Sequence, residues 1–247
     1  MNLSSGNKMS IQTGLYGLSF FLQHDGKEIF RSIPFESEVP SGLNEIIEKI
    51  HDEQLKRFPV SKITILHHNN LNTIVPEEML DDEKLPDLLK YNIKLLPGDT
   101  LETDRNLPSG TANVYVPYEN INNFFIEQYG EIEYFHSATP FLKYARQLHK
   151  KSRTEIFVRP GRKDFQMAIF RQGEFYFFNT FPMHHPDDFL YYFFFVWEEK
   201  ELTPLRPHIH ILSHDDIHKE LKDNILHFTK RVTYHPDAEK EILKHVL

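Results

Sequence analysis

Four histidines fall within eleven residues, His208, His210, His214 and His218, and Asp215 and Asp216 stand between the last two. On a helix His214 and His218 would share one face, and imidazoles joined by a carboxylate are zinc chemistry. Against this, no His-Glu-x-x-His pair or third ligand at a fixed interval accompanies them. Ser213 followed three residues later by Asp216 reads as a helix N-cap with an acidic first turn, and His208 and His210 read as one face of a strand. We expect no bound metal and no cofactor. The pairs His67-His68 and His184-His185 fall at a strand end and in a loop, where local hydrogen bonding accounts for them.

A second concentration is basic. Between Lys143 and Lys163 lie Lys143, Arg146, Lys150, Lys151, Arg153, Arg159, Arg162 and Lys163 against the single acid Glu155. Lys150 and Lys151 close a helix at the end where its dipole favours cations. Arg159, Arg162 and Lys163 instead flank Gly161 in a turn, where guanidinium forks suit phosphate or carboxylate. The expected anion-binding set is Arg159, Gly161, Arg162 and Lys163. No nucleophile elbow, Walker loop or dinucleotide fingerprint occurs, and Pro108-Ser109-Gly110-Thr111 is only a turn.

The elements that position these residues are legible from periodicity. Alternation predicts strands over 9–13, 18–23 and 27–35, joined by turns at Gly14-Leu15-Tyr16-Gly17 and His24-Asp25-Gly26. Leu43, Ile46, Ile47, Ile50, Gln54 and Phe58 then have helical spacing, and 62–67 returns to a buried strand. Residues 69–110 carry Pro76, Pro86, Pro97 and Pro108 with the acidic run Asp81-Asp82-Glu83, so an irregular insertion with one short helix is expected. A strand over 112–116, a helix over 118–129, a strand over 131–136 and a helix over 139–151 follow.

At residue 154 the opening pattern returns, with strands over 154–158, 165–170 and 174–181. Gly14 and Gly161 stand 147 residues apart, and so do Gly26 and Gly173. The same offset sets Leu43 on Leu190 and His67 on His214, so βββαβ recurs without a gap and we expect an internal duplication. The run Phe189 to Trp197 has almost no polar face, which describes a helix buried on several sides with a further domain or subunit contact.

The 247 residues carry 28 Lys+Arg and 36 Asp+Glu, a formal charge of −8, with 40% hydrophobic and 13% aromatic residues. That balance suits a globular chain with thick sheet cores and makes nucleic acid an unexpected partner, since phosphate neutralisation needs a basic surface. Without cysteine there is no disulfide framework and no thiolate nucleophile, which fits a reducing compartment. The first eight residues are a polar tail, and no apolar run reaches bilayer length, so a cytoplasmic location without membrane attachment is expected.

Two copies of βββαβα, each opening with a glycine-bearing hairpin, resemble the actin-like ATPase superfamily of actin, sugar kinases and the bacterial proteins FtsA and PilM. Met9-Ser10-Ile11-Gln12, Gly17-Leu18-Ser19-Phe20, Val75-Pro76-Glu77 and Ser137-Ala138-Thr139-Pro140-Phe141 resemble, more narrowly, a bacterial family of unknown function with that fold. The resemblance implies an α/β chain with α+β character: two tandem ribonuclease-H-like lobes, 9–153 with its insertion at about 69–110, and 154–247. In active members nucleotide and Mg²⁺ bind at the cleft between lobes.

Active members carry roughly Asp-x-Gly and small hydroxyl residues in each first hairpin, because carboxylates organise Mg²⁺ while amides and hydroxyls hold phosphates. Here Gln12 takes the first Asp position, followed by Thr13 and Gly14, and Leu15 and Tyr16 replace the hydroxyl pair. Arg159 takes the second. A neutral amide and a guanidinium do not supply the anionic oxygens a divalent cation prefers, and neither Asp25 nor Asp164 is placed to substitute. The expected function is therefore a pseudoenzyme: a non-catalytic binding or scaffolding module with a protein partner and, at most, a small anion in the cleft. The alternative is a divergent nucleotide-binding ATPase or phosphotransferase.

Overall fold

The computed structural model describes residues 7–24, 26–90, 93–213 and 219–247. Most of the polar tail, Asp25, and His214, Asp215, Asp216 and His218 lie outside the described residues. Contacts divide the chain into two units. Unit 1 takes the chain up to Arg105 with Ala112–Pro140 and Ile242–Leu247; unit 2 takes Asn106–Thr111 and Phe141–Glu241.

Unit 1 opens with an antiparallel meander, β1 (Lys8–Gly14), β2 (Gly17–His24) and β3 (Lys27–Pro34). α1 (Leu43–Ile50) follows and runs on as a single π turn over His51–Leu55. Leu43, Ile47, Ile50 and Leu55 form its buried stripe, each worth roughly 1.5–3 kcal/mol of burial. β4 (Lys62–His67) returns parallel to β1. The 69–110 stretch is more regular than its prolines suggest. It holds β5 (Asn72–Pro76), the short α2 (Leu85–Leu89) and β6 (Glu102–Leu107); with β7 (Thr111–Tyr115) these strands make a separate sheet ordered β5-β7-β6. α3 (Glu119–Tyr129) packs Ile121, Phe124 and Phe125 onto the first sheet, and β8 (Glu133–His136) completes it beside β4.

α4 (Ala138–Leu148) leads into unit 2, where β9 (Thr154–Pro160), β10 (Asp164–Arg171) and β11 (Glu174–Pro182) repeat the meander. α5 (Pro186–Glu199) starts with proline at its first turn and a capping box between His185 and Asp188. Asp188 Oδ2 accepts from the His184 and His185 amides at 2.8 and 2.9 Å. β12 (His208–Leu212), α6 (Lys219–Leu226) and β13 (Val232–His235) follow, and α7 (Ala238–Lys244) ends in unit 1.

The two five-stranded sheets share one arrangement, β3-β2-β1-β4-β8 and β11-β10-β9-β12-β13, with the first two pairings antiparallel and the last two parallel. In unit 1, Met9, Ile11, Leu18, Phe20, Ile63 and Ile65 face α1 and α3. In unit 2, Ile156, Val158, Phe165, Met167, Ile169, Ile209 and Ile211 face α5 and α6. The opposite face of the second sheet is buried as well, and it is mixed: Glu155, Arg159, Gln166 and His210 lie on it among Phe157, Ala168 and Phe170.

Candidate functional site

Parallel strands end together, so β1, β4 and β8 bring Gln12-Thr13-Gly14, His67-His68 and His136-Ser137 to one edge of the first sheet. The chain closes this edge on itself. The His68 amide donates to Thr13 O at 2.8 Å, the Ser137 amide to His67 O at 2.9 Å, and His68 Nδ1 lies 2.9 Å from Ser137 Oγ. A Cβ on Gly14 would fall 2.6 Å from His68 O and 3.3 Å from His68 Cβ, so glycine is required here by close approach. His68 thus occupies the hollow that the glycine leaves. Gln12 is half-buried, and Thr13 Oγ1 is buried without a hydrogen-bond partner.

His67 is fully buried, and burial pulls its pKa down to about 4, with Asn122 pulling the other way. Its tautomer follows from its partners. Nδ1 accepts from the Tyr118 amide at 3.4 Å, so Nε2 carries the proton and donates to Asn122 Oδ1 at 2.9 Å. His136 is held the same way: Nδ1 accepts from the Ala138 amide and Nε2 donates to Asn69 O at 3.1 Å. Asp104, on β6, accepts from Thr139 Oγ1 at 2.5 Å and from the His136 amide at 2.9 Å. These are fixing bonds, and each imidazole has both nitrogens engaged inside the protein.

The second hairpin carries Arg159, Gly161, Arg162 and Lys163. Arg159 does not project from it. The side chain is 5% exposed, on the face of β9 that it shares with Glu155 and Phe157, with Nη1 3.5 Å from Gln166 Oε1. Burial lowers its pKa while Glu239 and Asp164 supply opposing charge. The Gly161 amide donates to Asp164 O at 2.8 Å, and a Cβ on Gly161 would collide with Asp164 Oδ1. Arg162 is exposed and Lys163 half-buried, so the three cations occupy three different environments.

Sequence reasoning passed over Glu155, which is 1% exposed. Its Oε2 accepts from His149 Nδ1 at 2.8 Å and from the Lys150 amide at 2.7 Å, and His149 Nε2 accepts from the Gly173 amide at 3.1 Å. Oε1 lies 3.6 Å from His210 Nε2, and His210 Nδ1 is 2.9 Å from His235 Nε2. Burial opposes the charge, yet the Lys150 amide, His149 and His210 together hold the Glu155 carboxyl below its ordinary value. The available signal was its place as the one acid in the basic run. His208 and His210 do share a strand face, with ring centroids 4.8 Å apart. Among the described residues no group of three or more histidines and carboxylates is arranged to hold a metal ion.

Among the described residues no helix is long and apolar enough to cross a membrane. A family model described as "Protein of unknown function (DUF3822)" matches residues 2–232, and the chain belongs to that family. A solved structure from Bacteroides thetaiotaomicron, a protein with actin-like ATPase fold and unknown function, superposes with a TM-score of 0.79 at 16% identity, covering 95% of this chain and 93% of that one. The PilM-PilN type IV pilus biogenesis complex gives a TM-score of 0.54 at 10% identity, over 96% of this chain and 94% of that one. At such identities the likeness is one of fold, and the fold is that of the actin-like ATPases. No curated protein matches the chain.

Proposed function

We propose that this DUF3822 member is a non-catalytic protein of the actin-like ATPase fold, acting in the bacterial cytoplasm as a binding or scaffolding module. The observation that carries the reading is the filling of both hairpins by the chain itself: His68 packs on Gly14 and the Asp164 carboxylate on Gly161. Gln12 and Arg159 stand where carboxylates would have to hold Mg²⁺ against triphosphate charge. In the second hairpin the anion beside Arg159 is then the protein's own Asp164, with Glu239. The matched strand orders are read as two copies of one ancestral unit. A partnering role is supported by the similar fold of PilM, a protein solved in complex with PilN.

Calorimetry with Mg-ATP and a phosphate-release assay test the reading. Neither tight binding nor turnover is expected. A micromolar dissociation constant, or turnover removed by Gln12→Ala, would replace it with the nucleotide-dependent alternative.

A further inference from the structure

At the opposite end of the second sheet from the Gly161 hairpin, where β9, β12 and β13 begin and β10 turns into β11, the protein has a cavity of about 540 Å³. Arg153 precedes β9, Arg206 precedes β12 and Arg231 precedes β13, and all three line it together with His208, Thr154 and Gln172. No acid is among its lining residues. Among the described residues none of the three guanidinium groups is within ion-pair distance of a carboxylate. Arg231 Nη1 donates instead to Arg206 O at 3.1 Å, and His208 is tied to Thr233 Oγ1 at 2.7 Å. Arg206 and Gln172 both hold left-handed backbone, with φ of 44° and 51°, a conformation that side-chain-bearing residues adopt at a cost. Three strand starts thus converge their cations on one hollow, and the hairpin turn adds the Gln172 amide.

Three like charges around one cavity repel one another, and no carboxylate among its lining residues offsets that. Guanidinium forks answer tetrahedral oxyanions with paired hydrogen bonds, and hydroxyl and amide donors complete such a shell. The volume falls in the range of small-molecule sites. We propose that this cavity is a binding site for a small ligand bearing phosphate groups, of the diphosphate class, seated by Arg153, Arg206 and Arg231 with His208 in its lining. This site is separate from both glycine hairpins and holds whether or not the protein hydrolyses ATP.

His208 reports on occupancy. Burial lowers its pKa, and the charges of Arg153, Lys150 and Arg231 push the same way, against Glu155 on the inner side; the His210 ring lies alongside. An anion among the arginines reverses that field, so the His208 ring should titrate at higher pH when the site is filled.

The test is titration of the full-length protein with inorganic pyrophosphate, followed by calorimetry and by the His208 ring resonances. Saturable binding is expected, weakened about ten-fold or more by Arg153→Gln and by Arg206→Gln, as loss of a charge-assisted bond predicts. Arg105→Gln, on β6 of unit 1 and paired with Asp82, should leave it unchanged, and circular dichroism of each variant checks folding. Citrate, of similar charge, should bind more weakly. No saturation at high millimolar pyrophosphate, equal loss in Arg105→Gln, or preference for citrate would each overturn the proposal.

Discussion

His67 ties the stability of unit 1 to pH. Its folded pKa of about 4 lies below the ordinary value of 6.5, so above pH 6.5 the ring is neutral in both states and costs nothing. As pH falls from 6.5 towards 4 the unfolded chain takes up a proton that the folded one refuses, and stability drops by up to about 3 kcal/mol. His51, His208, His210 and His235 are shifted in the same direction, burial being the largest cause in each. Urea unfolding measured across that window should show the decline, and His67→Gln, which retains a donor for Asn122 without a titrating ring, should flatten part of it. A stability profile that the substitution leaves unaltered would mean that His67 gains its proton without unfolding.

At the scale of elements, α5 separates core from surface within one aromatic run. Phe189, Phe193 and Val196 are buried against the second sheet, whereas Tyr191 and Phe195 are 66% and 51% exposed. Phe189→Ala should cost about 3–5 kcal/mol in chemical denaturation, by lost burial and the cavity left behind. Tyr191→Ser should stay within about 0.5 kcal/mol. Hydrophobicity predicts the helix, but the offset that aligns Leu190 with Leu43 misses its first turn, because the chain before Leu43 makes a separate 3₁₀ turn over Pro40–Gly42 where α5 is already α-helical from Pro186. The hairpin strands and β4 were legible because their apolar residues alternate. β5 and β6 were not, since Asn-Thr-Ile-Val-Pro and Glu-Thr-Asp-Arg-Asn-Leu lack alternation and take their order from β7. The position of Arg159 beside Gly161 predicts a side chain projecting from the hairpin with Arg162 and Lys163. Its strand is covered on both faces, as its buried neighbours Glu155 to Val158 attest, and residue type does not report that.

At the scale of the whole molecule, unit 1 is closed by residues 242–247, which follow unit 2 in the sequence. Ser10 Oγ donates to Leu243 O at 2.7 Å and Lys244 Nζ meets Glu28 Oε1 at 2.7 Å, while Leu243, Val246 and Leu247 pack on Phe21 and Leu66. A chain ending at Glu241 should lose amide-exchange protection in β1, β2 and β4 by about ten-fold or more, while β9 to β11 keep theirs. Equal loss in both sheets would show that the segment braces the molecule generally. The same contact sets a timetable for synthesis. β1 to β4 leave the ribosome before unit 2, but Leu243, Val246 and Leu247, which complete the cover of Phe21 and Leu66, are translated only after it. At ~5–20 residues per second the first sheet waits on the order of ten seconds or more with Phe21 and Leu66 not yet covered from that side, a period in which a chaperone would find them.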